Sequence, residues 1–125
     1  LNLGDNKQYG VTEIFHVTES KDGNIWLAGK GVLRFNYTLQ KPDYYNERFT
    51  NDLTKGNSVN SITADEQGGI WLGNGQSGLV LLNTANDSIT LFTKTDGLSD
   101  DKVSSLSYYK GYVWIICKNG IFKID

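Results

Sequence analysis

The sequence predicts an all-β chain: a β-propeller fragment of about three four-stranded antiparallel blades. Three observations carry that prediction. Trp26, Trp71 and Trp114 stand 45 and 43 residues apart, each behind a β-branched residue (Ile25, Ile70, Val113) and three places after a glycine (Gly23, Gly68, Gly111). Glycine occurs 14 times in 125 residues and proline once, a usage that suits short strands joined by tight turns. Nowhere do apolar residues recur at i, i+3, i+4 and i+7 over three turns, so no long amphipathic helix is expected. A repeat of about 40–45 residues built from four short strands has the period of a propeller blade.

The repeat extends to both sides of the tryptophans. Upstream, Ile14–Val17, Val59–Ile62 and Val103–Leu106 read IFHV, VNSI and VSSL. Downstream, GVLRFN, GLVLLN and GIFKID begin at Gly31, Gly78 and Gly120. The third copy is one residue shorter before its Trp, and the second is two longer after it. Both slips fall at expected turns, where length changes are tolerated.

The second copy illustrates the strands. Strand one is Val59–Ala64, followed by the turn DEQGG, and strand two is Ile70–Gly73. The loop NGQSG leads to strand three, Leu79–Asn83, and TANDS leads to strand four, Ile89–Thr93. Strand two is apolar at nearly every position, as expected of a strand covered on both faces. Trp26, Trp71 and Trp114 are therefore read as equivalent core residues, with Gly23, Gly68 and Gly111 in the turns before them.

The repeats span approximately 11–55, 56–97 and 98–125, with 1–10 as the tail of a preceding blade. Propellers typically close with about 4–8 blades, so three are expected to be part of a ring. The absence of any Met, in a chain opening LNLGDNKQYG, fits a piece of something longer.

Composition narrows the function classes. Net charge is −2, with 12 basic and 14 acidic residues, so no nucleic-acid footprint is expected. No apolar run approaches the roughly 20 residues that a membrane helix needs. One cysteine, Cys117, cannot make an internal disulfide.

The combination of DGLSDDKVSSL, NSVNSITADEQGGIWLGN with GLVLLN, and KDGNIWLA resembles the two-component regulator propeller repeat. That family's blade runs roughly dGLssn-V-sI-eD-dGnlWigT-gGl-rf. The likeness covers residues 11–125, although the first unit lacks the GLS opening and the third has no DG before Trp114. The resemblance implies a periplasmic sensor region of a membrane-anchored hybrid histidine kinase of Bacteroidetes type. It also implies a response to carbohydrate fragments.

The residues themselves carry little catalytic chemistry. His16 lies on strand one with no partners at metal-ligand spacing, and Cys117 follows two Ile. The acidic turns at Asp22–Asn24 and Asp65–Gly69 lack EF-hand spacing and read as turn-capping groups. Gly29–Gly31 and Gly73–Gly75 open no helix, so they read as hairpin turns and not phosphate loops. No catalytic residue, metal or cofactor is expected. Tyr44–Tyr45 and Tyr108–Tyr109 could offer one ring inward and one outward.

Topology selects one rim for binding. The loops from strand two to three and from strand four to the next strand one share a rim. They carry Lys30, Asn57, Asn74, Gln76, Asp100, Lys102, Lys118 and Asn119, groups able to hydrogen-bond a saccharide. The function expected is a non-enzymatic, ligand-sensing module. A structural or protein-interaction segment is the alternative, and part of a propeller lyase or hydrolase a third. Partners expected are a saccharide and neighbouring blades of the parent chain or a second copy. Self-association is expected through the end blades, with Leu1–Leu3 of one copy adding to Ile121–Ile124 of another.

Overall fold

The computed structural model describes residues 14–29, 31–43, 59–74, 78–86, 88–98 and 102–124. The expectations for Leu1–Leu3 and for Tyr44–Tyr45 lie outside these. The described residues form three antiparallel sheets and no α-helix; one 3-10 turn lies at Lys94–Asp96. The first sheet comprises β1 (Ile14–Glu19), β2 (Ile25–Gly29), β3 (Gly31–Asn36) and β4 (Lys41–Pro42). The second comprises β5 (Val59–Ala64), β6 (Gly69–Asn74), β7 (Gly78–Asn83) and β8 (Ser88–Phe92). The third has three strands, β9 (Val103–Tyr109), β10 (Tyr112–Cys117) and β11 (Gly120–Ile124). Each sheet is a meander in chain order, the layout that short strands and tight turns impose.

Register carries the repeat to the level of single residues. Trp26 lies between Thr18 and Arg34, Trp71 between Thr63 and Leu81, and Trp114 between Ser107 and Lys123. All three inner strands break register at the same place, between Ile14 and His16, Val59 and Ser61, and opposite Ile116 and Cys117. A bulge twists a strand, and repeating it tilts each sheet's inner edge alike. The turns before the tryptophans are also alike: Gly23, Gly68 and Gly111 have φ of 85°, 87° and 82°, a conformation that L side chains resist.

The sheets stack face to face with two cores between them. Trp26, Ala28 and Val32 of the first sheet pack on Ile62, Ile70, Leu72, Val80 and Leu82 of the second. Trp71 and Leu79, on the other side of the second sheet, pack on Leu106, Val113, Ile115 and Cys117 of the third. Strand β6 is therefore buried along its whole length, covered on both faces. Gly73 on this strand is a requirement of packing: a Cβ there would stand 2.8 Å from Val103 Cγ1.

Hydrogen bonds join the inner strands by one rule. His16 Nδ1 accepts from the Ile62 amide at 3.1 Å, and Ser61 Oγ accepts from the Leu106 amide at 2.8 Å. The residue pairs are equivalent, one repeat apart. Thr63 Oγ1 likewise accepts from the Tyr108 amide at 3.0 Å. Strand one is the edge of its sheet, so its outward amides need partners from elsewhere, and the preceding sheet's side chains supply them.

One expectation is corrected here. Trp26 and Trp71 are buried, at 0% and 5% exposure, but Trp114 is 37% exposed and is not a core residue. Its strand position is equivalent. The difference is that each tryptophan faces the following sheet, and among the described residues no sheet follows the third.

Candidate functional site

The turn that joins strands one and two in each sheet organises the rim on which the described clefts lie. In the second sheet Asp65 Oδ1 accepts from the amides of Gln67 at 2.8 Å and Gly69 at 2.7 Å, and Oδ2 accepts from Trp71 Nε1 at 2.8 Å. One carboxylate thus closes the turn and clasps the indole. In the first sheet the same position is Ser20, whose Oγ accepts from Trp26 Nε1 at 3.2 Å. In the third it is Tyr109, whose carbonyl accepts from Trp114 Nε1 at 3.2 Å. The capping role of Asp65 was legible in the sequence. Its reach to the tryptophan six residues on was not, because that contact needs the hairpin closed.

Beside Asp65 a cleft of about 350 Å³ opens between the second and third sheets. Trp71 stacks on Phe92 at one wall, with ring centroids 5.9 Å apart, and Tyr108 and Ile124 form the other. A second hollow, about 370 Å³, lies between the first and second sheets and is lined by Ser20, Lys21, Asp22, Gln67, Gly68 and Thr84. Partial burial pushes the Asp22 carboxyl up, but hydrogen bonds from Ser20 and Asn24, helped by the charge of Arg34, together hold it below 3.8. The Tyr108 hydroxyl is held above 10.0, first by desolvation and then by the charges of Glu66 and Asp65. In the cleft beside Asp65 both oxygens of that carboxylate are already engaged, so it is not free to serve as a general base. Among the described residues no group of three His, Cys, Asp or Glu side chains could hold a metal.

The rim expected to bind lies at the opposite end of the sheets. Lys30, Asn57, Gln76 and Asp100 fall outside the described residues. Lys118 and Asn119 are exposed in the β10–β11 turn, and Lys102 is exposed just before β9. The Cys117–Val103 pair ends that ladder, which places Lys102 and Lys118 as neighbours beyond it. Asn74 departs from expectation. It is buried at the end of β6, because the pairing with Val59 and Gly78 runs one residue further than the sequence suggested. His16 and Cys117 have structural places: the first accepts the Ile62 amide, and the second is a buried thiol of the apolar core.

Comparison with known proteins bears on this repeat. Residues 55–76 match the two component regulator propeller family. The match covers strand one, the Asp65 turn and strand two of the second sheet, and so takes in the Asp65–Trp71 clasp. The resemblance anticipated from the three tryptophan segments is thus met in the repeat that displays it most fully. Comparison with curated protein sequences finds no match. Among solved structures, the extracellular domain of BT3049 from B. thetaiotaomicron, described as a hybrid two component system, aligns with TM-score 0.71 and 19% identity. It covers 93% of this chain and 16% of that one. The extracellular domain of BT4673 from B. thetaiotaomicron aligns with TM-scores of 0.67 and 0.68 in two structures, at 21% and 19% identity. One structure describes BT4673 as a one component system and the other as a hybrid two component system. Each covers 92% of this chain and 17% of its own length. The chain therefore spans about a sixth of the proteins whose propeller fold it shares.

Proposed function

We propose that this chain is a non-enzymatic, ligand-sensing propeller module of a two-component sensor, responding to a polar ligand such as a carbohydrate fragment. The observation that carries the reading is the two component regulator propeller repeat at 55–76, set within three equivalent sheets. The parent is a membrane-anchored hybrid histidine kinase with this module on the periplasmic side. That location is supported by the extracellular domains of similar fold. Rigid stacked sheets holding polar loops suit recognition more than turnover. Lys102, Lys118 and Asn119, together with Lys30, Asn57, Gln76 and Asp100, are the proposed contacts on one rim.

The test is a titration of the chain with a panel of neutral and acidic oligosaccharides, read by amide chemical shifts. Shifts grouped at Lys102, Lys118 and Asn119, reduced in Lys118→Ala, would support the reading. Binding that shifts only the cleft beside Asp65 would move the site to the other rim. No binding across the panel would count against a saccharide ligand. A second reading, a protein-interaction propeller, is favoured by the exposed Trp114, Ile116 and Ile121 on one face of the third sheet.

A further inference from the structure

The bond that ties the first sheet to the second differs from its counterpart in one chemical respect. His16 and Ser61 hold equivalent positions on β1 and β5, and each accepts an amide from strand one of the next sheet: Ile62 at 3.1 Å and Leu106 at 2.8 Å. The acceptor at the second seam is a hydroxyl oxygen, which does not titrate near neutrality. The acceptor at the first is an imidazole nitrogen, whose single lone pair is lost on protonation. A backbone amide can only donate, so the Ile62 bond fixes the ring as the neutral tautomer with its proton on Nε2.

Ser61 reaches both seams. Its Oγ stands 3.3 Å from the same Nδ1 while it accepts the Leu106 amide. A hydroxyl can donate to a bare nitrogen or accept from a protonated one, so this contact survives in either state. The Ile62 amide has no such freedom. Once Nδ1 carries a proton, two N–H groups face each other across that contact, and a ring flip brings no relief because both nitrogens are then donors. Ile62 is 1% exposed, so water is poorly placed to supply the missing acceptor.

Imidazole is the side chain that ordinarily changes charge between about pH 5 and 8. His16 is the only histidine of the chain. Among the described residues, β2 and β5 are the strands that pack on β1, and neither carries an ionisable side chain. The other ionisable group of β1 is Glu19, three residues on and on the other face of the strand.

We propose that His16 makes the seam between the first and second sheets responsive to pH: the neutral ring closes it through Ile62, and proton uptake as pH falls breaks that bond, while the Ser61 seam between the second and third sheets stays closed. The apolar Trp26 core spans the first seam and carries no ionisable group, so the sheets remain stacked while the strand-one contact opens. This response does not depend on which ligand the module binds.

The test is a set of amide spectra and hydrogen-exchange rates for the whole chain and for His16→Asn, taken between pH 8 and 5. In the unaltered chain the Ile62 amide should shift with the same inflection as the His16 ring resonances. Its protection, corrected for the intrinsic exchange rate and referred to the Tyr108 amide, should fall about tenfold as the ring takes up its proton. His16→Asn offers a carbonyl acceptor that does not titrate, so both changes should vanish. His16→Ser, which carries the residue of the equivalent position, should behave likewise and serves if the asparagine variant does not fold. An Ile62 amide indifferent to pH, or one whose inflection differs from that of the ring, would overturn the proposal without recourse to either variant. So would the same response persisting in a folded His16→Asn or His16→Ser chain.

Discussion

Truncating the tryptophans one at a time turns the stacking of the sheets into a measurement. Trp71 and Trp114 hold equivalent strand positions, yet one is 5% and the other 37% exposed. Trp71→Ala removes a side chain packed between two sheets, stacked on Phe92 and bonded to Asp65. Core truncations of this size cost about 3–5 kcal/mol, transfer and cavity together. The lost indole bond adds little, because Asp65 keeps two backbone donors, from Gln67 and Gly69. A domain of ordinary stability has about 5–15 kcal/mol in total, so the variant should approach its limit. Trp114→Ala loses partial burial only, and among the described residues no second sheet closes over the gap. At about 25 cal/mol per Å², over the roughly 75–125 Å² that a half-buried aromatic removes from water, the ring is worth about 2–3 kcal/mol. The assay is urea unfolding followed by far-UV circular dichroism, at a concentration low enough to keep the chain monomeric. The midpoint should fall for both variants with the slope unchanged, and further for Trp71→Ala. Equal losses, or a Trp71→Ala cost below that of Trp114→Ala, would refute the assignment of the two faces.

Three further outcomes follow from the same structure. Gly73→Val should destabilise by about 1–3 kcal/mol in the same unfolding assay, since its side chain would overpack the Val103 contact. Ser61→Ala should cost about 1–3 kcal/mol by leaving the Leu106 amide without its side-chain acceptor, and hydrogen exchange at that amide should accelerate. Asp22 has a folded value below 3.8, so its contribution is present above the unfolded value and lost as pH falls through the folded one. Asp22→Asn should therefore flatten the acid limb of stability below pH 3.8, by a small amount because the carboxylate is exposed.

How much of this was legible beforehand depends on the range of the interaction. The blade period, the strand order and the turn glycines are local patterns: alternation, tight turns and spacing write them directly into IFHV, DEQGG and GIWLGN. The same patterns placed Trp26, Trp71 and Trp114 at one strand position, and register agrees. They could not state exposure, because a side chain's burial depends on what stands beyond its own sheet. Trp114 is in register with Trp71 and yet exposed, since the second sheet has a neighbour on that side and the third has none among the described residues. Asn74 is the converse: turn chemistry suggested a rim loop, and one more ladder pair drew it into the sheet. The His16–Ile62 and Ser61–Leu106 bonds were likewise invisible, because they join residues one repeat apart across two edges. Sequence by itself determined what each sheet is. Tertiary stacking decided which faces are core and which clefts open between sheets, because those depend on the relative placement of units that sequence describes one at a time.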